Sequence, residues 1–239
     1  MRLSGPAAVL PEPRDYGPLP FTWYYGQTPR QVQDLVGADN RLVTIQVERA
    51  SPLLLDVAMV RNSGTAHKDW WWVPGAGEAV GGSQLGEYCA FREGRVVSLA
   101  PYVVDGTTYF AAVLVANNGT DHKGWWWYFD IPKANVTSLL SQNKARLVDL
   151  RSYPKNGSTA YAAVMIPNTG PDEQKWWWYT GVDAASVKAS LKENKALLAS
   201  LQSADRAGTT FDVIMNAGVV NTMPSFQAVS WVWGTGDTD

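Results

Sequence analysis

Tryptophan recurs in triplets, and that recurrence limits the folds open to this chain more than any other feature. Trp70-Trp71-Trp72, Trp125-Trp126-Trp127 and Trp176-Trp177-Trp178 lie roughly fifty residues apart, and a degenerate copy, Trp231-Val232-Trp233, follows at a similar interval. Clusters at near-constant spacing are the mark of one supersecondary unit used several times. An asparagine stands eight residues before each full triplet, in Asn62-Ser63-Gly64, Asn117-Asn118-Gly119 and Asn168-Thr169-Gly170. Asn216-Ala217-Gly218 is a fourth copy with a longer loop behind it. Asparagine and glycine both tolerate left-handed backbone, so the recurring Asn-x-Gly reads as a turn.

The stretch before each asparagine is a short apolar run, and before that comes a strand signal led by arginine at Arg41, Arg95 and Arg146. The two are joined by Asp105-Gly106 or Asn156-Gly157, which is hairpin chemistry. A guanidinium at the head of a strand is expected to lie against an indole. After the triplets, Pro132 to Asn143 and Asp183 to Asn194 carry apolar residues at helical spacing, with Asp183 placed to cap. Pro74 to Gly86, the corresponding stretch after Trp72, is glycine-rich and predicts mostly loop. Phe21 to Gly26 lines up with Trp176 to Gly181, and a helical Pro29 to Val36 follows, so the array begins in mid-unit.

The unit is therefore tryptophan strand, helix, strand, strand. Residues 1–20, with prolines at 6, 11, 13, 18 and 20, read as an N-terminal arm. Residues 21–239 read as one tandem-repeat domain with units near 21–69, 70–124, 125–175 and 176–230, and a final tryptophan strand at 231–233. The expected class is α+β and β-rich: a curved sheet, or a partial or closed barrel, with helices on one face.

Taken together, Arg146-x-x-Asp149-Leu150, the Tyr161-Ala-Ala-Val164 strand, Asn-x-Gly and the tryptophan triplet resemble the bacterial tandem repeat domain, which also forms the N-terminal part of fungal polyglycine hydrolases. The resemblance spans roughly residues 21 to 233. It implies a β-rich repeat domain with secreted relatives and implies no catalytic residue within the repeats. A Ser-x-x-Lys match, Ser152 to Lys155, falls at a hairpin with a proline inside it, whereas the β-lactamase nucleophile opens a helix.

A strand sends alternate side chains to opposite faces, so each triplet commits indoles to both sides of its sheet. Trp70, Trp72, Trp125, Trp127, Trp176 and Trp178 share one side and are candidate ligand contacts, because indoles stack on sugar faces, extended peptide and cations. The alternative is that all of them are core. The loops just before the triplets add His67, Lys68, His122 and Lys123, expected on one rim. No metal-ligand spacing and no paired acids recur, so the reading names no catalytic residue, metal or cofactor.

Composition narrows the partners. A formal net charge of -2 from interspersed charges gives no basic field for nucleic acid or anionic lipid, and no apolar run suits a membrane span or a signal peptide. Cys89, the one cysteine, sits among apolar neighbours as a buried thiol would. The chain thus reads as a non-enzymatic module binding an extended glycan or peptide polymer. A structural or interaction scaffold, or an enzyme of unfamiliar type, is the alternative; oligomeric state and location stay open.

Overall fold

The computed structural model describes residues 22–64, 67–74, 79–119, 122–170, 173–205 and 208–218. Four units follow one another. The first is β1 (Thr22–Gln27), α1 (Pro29–Val36), β2 (Asn40–Ala50) and β3 (Leu53–Arg61). The second is β4 (Trp70–Val73), α2 (Gly82–Phe91), β5 (Gly94–Val104) and β6 (Thr107–Ala116). The third is β7 (Trp126–Ile131), α3 (Lys133–Gln142), β8 (Ala145–Lys155) and β9 (Ser158–Pro167). The fourth is β10 (Trp176–Asp183), α4 (Ala184–Asn194), β11 (Ala196–Ser203) and β12 (Thr210–Ala217). The arm and the fifth tryptophan strand, Trp231-Val232-Trp233, lie outside the described residues.

In place of the curved sheet or barrel expected from the repeat, the described residues form four separate three-stranded antiparallel sheets, with no closed barrel. In each, the last strand of the unit lies in the middle, between the tryptophan strand and the second strand. The physical reason is local. The hairpin joins the second and third strands, and the helix carries the chain across that hairpin, so the tryptophan strand closes its own sheet instead of extending a shared one.

Turn and cap chemistry fixes each piece. Asp105 and Gly106, then Asn156 and Gly157, all have positive φ, as a two-residue hairpin turn requires. Thr28 and Gln31 form a reciprocal capping box on α1, and the Asp183 carboxylate accepts from Ser186 N at 2.7 Å at the start of α4. The glycine-rich stretch after Trp72 was expected to be mostly loop, but α2 begins inside it. Gln84 Oε1 accepts from Gly81 N at 2.9 Å, which caps the helix without a hydroxyl or carboxylate.

The units pack face to face. Val32, Val36, Leu42, Leu55 and Met59 of the first unit share one core with Trp70, Trp72, Ala111 and Val113 of the second. The second unit meets the third in the same way, and the third meets the fourth through Trp176, Trp178 and Ile214. A regular alternation results. The first and third tryptophans of each triplet enter the core shared with the preceding unit, whereas Trp71, Trp126 and Trp177 turn to the core beneath their own helix. The sheet face away from its own helix is thus covered by the neighbouring unit's helix side.

The second strands, each an edge of its sheet, come together at a common centre. Each carries a register shift at an equivalent place, followed by Thr44, Ser98, Asp149 or Ser200. Edge strands leave N–H groups outside the ladder, and here the next unit's side chain accepts from them: Ser98 Oγ from Ile45 N at 3.3 Å, and Asp149 Oδ2 from Leu99 N at 2.7 Å. Ser200 Oγ donates to Asp149 Oδ1 at 3.3 Å. Arg151, 5% exposed, reaches all four units: Ile45 O at 2.8 Å, Ser98 Oγ at 3.3 Å, Asp149 of its own strand at 3.5 Å, and Gln202.

Candidate functional site

The loops that precede the triplets are built alike. Asn62 Oδ1 accepts from Lys68 N at 2.9 Å while its Nδ2 donates to Lys68 O at 3.0 Å. Asn117 grips Lys123 in the same two-bond manner at 2.9 and 2.9 Å, and Asn168 grips Gln174 at 3.1 and 3.0 Å. Gly64, Gly119 and Gly170 have positive φ. Each carbonyl then accepts from the backbone N–H of His67, His122 or Glu173. The repeated asparagine is therefore a clamp that shapes the loop, and it fixes where the next residues stand.

Two hollows flank the loop at Asn117 to Gly119. One, of about 240 Å³, is lined by His67, Lys68, Asp69, Asn118 and Gly119, so the first two loops contribute to a single rim. The other, of about 560 Å³, is a cleft between α2 and the third unit. It is lined by Gly86, Cys89 and Ala90 of α2, by Trp125 and Trp127, and by the polar residues Glu93, Asn118 and His122.

The cleft exists because α2 is lean where its counterparts are bulky. The helices align on the left-handed residue that follows them, Glu93, Lys144 and Lys195. On that alignment Gly86, Cys89 and Ala90 stand where α3 has Thr137, Leu140 and Ser141 and α4 has Lys188, Leu191 and Lys192. A methyl at Gly86 would meet Trp127 at an ordinary 4.0 Å, so packing does not demand the glycine there. A glycine in a helix interior costs ~0.5 to 1 kcal/mol relative to alanine, and its effect here is to leave space.

The aromatic part of the lining is rigid. Trp127 is stacked on Phe129 with centroids 5.4 Å apart and meets Phe110 edge-on at 5.6 Å. Trp125 has no such ring partner among the described residues. Burial pushes the Cys89 thiol up to about 12, which leaves it an inert part of the lining. The side chains of Glu93, Asn118 and His122 make no hydrogen bond or ion pair among the described residues.

Other expected contacts are placed differently. Trp72 is buried, and Trp70, Trp176 and Trp178 are partly buried in the cores between units. Lys133 Nζ lies 5.6 Å from the Trp178 ring centroid. His67 and His122 line different hollows, and among the described residues no three His, Cys, Asp or Glu side chains group as metal ligands. Arg92 makes a guanidinium–aromatic contact, 5.5 Å above Trp71 and 5.4 Å above Tyr88. Arg146 meets the loop amide of Gln174, whose Oε1, in the orientation that pairs donor with acceptor, takes Nε at 3.0 Å.

Asp56, Asp130 and Asp212 are occupied by the fold. Asp56 accepts from Gly26 N at 2.9 Å, and Asp212 from Ser152 N at 2.8 Å and Gly181 N at 3.2 Å. Asp130 accepts from Tyr153 OH at 2.7 Å and Thr108 Oγ1 at 2.8 Å and pairs with Lys155. Ser152 and Lys155, three apart in a strand, fall on opposite faces, so the Ser-x-x-Lys match is not assembled as a pair. Glu93, Asn118, Gly86 and Ala90 were absent from the sequence-based site. Only alignment of the helices, whose second copy was hidden in a glycine-rich stretch, exposes them.

The chain matches no protein-family model, no curated protein and no solved structure.

Proposed function

We propose that this chain is a non-enzymatic binding module that holds an extended carbohydrate or peptide along the rim of its loops, with the cleft between the second and third units as the principal contact. The observation that carries this reading is the cleft itself: lean helix residues with Trp125 and Trp127, and three polar side chains that have no partner among the described residues. The hollow at His67 and Lys68 adjoins it through Asn118 and gives the ligand a continuation. Membership of the bacterial tandem repeat family, proposed on the motif pattern, is compatible with a module of this kind.

The test is a titration of soluble polysaccharides and extended peptides, followed by tryptophan fluorescence. Saturable binding by wild type and its loss in the pair Asn118→Ala with His122→Ala are expected. If the double variant binds as wild type does, the rim is not the site.

A scaffold that presents the array to another chain is the second reading. It draws on Trp23, 43% exposed, and Tyr25, 70% exposed, in the first unit. It predicts that Trp23→Ala with Tyr25→Ala abolishes capture of a protein partner while polymer titrations stay unchanged.

A further inference from the structure

We infer that the cleft takes a neutral glycan, with one pyranose ring stacked on Trp125 and its hydroxyls read by Glu93, Asn118 and His122. This rests on the binding reading above and specifies the class of ligand.

The lining selects among candidate polymers. A peptide bound in extended form is held chiefly through its backbone by an open strand edge. The cleft offers three polar side chains of mixed kind: a carboxylate that only accepts, an amide that does both, and an imidazole. A sugar hydroxyl, at once donor and acceptor, is matched by that mixture, whereas a backbone ladder is not. The same lining carries apolar groups, Ala90, Cys89 and the half-buried Trp125 ring, beside the polar ones. A pyranose has the same combination, apolar C–H faces and a polar perimeter.

Charge sharpens the choice. Glu93 lines the cleft with its carboxylate unpaired among the described residues, and Asp69 lines the adjoining hollow. Lys68 offsets Asp69 within that hollow, so the Glu93 carboxylate is what a polyanion such as a polyuronate would meet as like charge. The two hollows share Asn118, so the ligand passes over that amide and extends beyond a single ring. Asn118 is also specific to this loop: its counterparts are Ser63, Thr169 and Ala217, none with an amide.

The test uses the full chain and four neutral hexasaccharides, of cello-, chito-, manno- and xylo-type, with polygalacturonate and a proline-rich peptide as contrasting probes. Calorimetry and tryptophan fluorescence read binding. At least one neutral hexasaccharide should bind saturably, with no binding of polygalacturonate. Glu93→Gln should weaken that binding about tenfold, the loss of one charge-assisted hydrogen bond. Gly86→Leu should abolish it while the circular dichroism and melting temperature stay near wild type, because Gly86 is only half-buried and an added Cβ meets Trp127 at an ordinary 4.0 Å.

Ala90→Phe is a second way of filling the cleft, should Gly86→Leu disturb α2. If none of the four binds, or binding survives both filled variants, the inference falls. If the peptide alone binds and the filled variants abolish it, the cleft stands as the site and the glycan assignment fails.

Discussion

Arg151 donates to the backbone carbonyl of Ile45 at 2.8 Å across 106 residues of sequence. That bond joins the third unit to the first, and the same guanidinium meets Ser98 of the second and Gln202 of the fourth. Because each second strand is a sheet edge, its outward backbone groups need partners, and a fully buried cation with five donors can serve several strands at once. The pair with Asp149 keeps the charge from being isolated, while burial still lowers the Arg151 pKa from its ordinary value.

Replacing Arg151 by methionine should destabilise the chain by ~3 to 5 kcal/mol, since it leaves Asp149 buried without its counter-charge. Adding Asp149→Ser, the residue type at Ser98 and Ser200, should recover a large part of that loss. Urea unfolding of both variants measures it; a double variant no more stable than the single one would show that the ion pair is not what the centre depends on.

Asn117→Ala removes both bonds to Lys123 and should cost about 1 to 3 kcal/mol, as two modest backbone hydrogen bonds are left unmade. Amide exchange at Lys123 should accelerate, and the same should follow at Gln174 in Asn168→Ala. Unchanged exchange in both would remove the clamp from the account of the loop.

The two kinds of exposed and buried tryptophan should separate cleanly. Trp72→Ala empties a site in the core between the first two units and should cost ~3 to 5 kcal/mol. Trp23→Ala, at a position 43% exposed, should cost clearly less. Chemical denaturation of the two variants decides it, and equal losses would contradict the burial of Trp72 against the first unit.

Asp130 links pH to stability. Burial acts to raise its pKa, but hydrogen bonds from Lys155, Tyr153 and Thr108 outweigh it and hold the carboxyl below its ordinary value. A depressed folded pKa contributes stability above the unfolded carboxylate range and loses it as the pH falls toward the folded value. The stability gap between wild type and Asp130→Asn should therefore be full at neutral pH and shrink below about pH 4. A gap that widens in acid would reverse the sign assigned here.

Cys89, 5% exposed and pushed up to about 12, should resist a maleimide at pH 7 in the native protein and react at once in denaturant. Mass spectrometry reads the adduct. Rapid native labelling would mean that the lining of the cleft opens far more than its packing shows.

Much of the unit was legible because its signals are local. Glycine and asparagine in left-handed turns, Asp183 at a helix start and the period of the apolar runs depend on a few neighbouring residues, so strands, hairpins and three of the four helices follow from reading the chain. Helix α2 escaped because its cap is the Gln84 side chain reaching Gly81, and the glycines at 81, 82 and 86 read as loop. The rim histidines could be placed in equivalent loops, yet nothing local says that Asn118 borders both hollows.

The sequence by itself determined the repeat, the order of elements within it and the two-faced commitment of every triplet, since strand alternation sends Trp125 and Trp127 one way and Trp126 the other. Only the tertiary structure decided that each unit closes its own sheet, that the outer tryptophans pack against the preceding unit and that Arg151 lies where four edge strands meet. Those outcomes depend on which faces pair across fifty to a hundred residues. Such pairing is set by volume, burial and the need to satisfy buried polar groups, quantities that belong to the assembled units and not to any one segment.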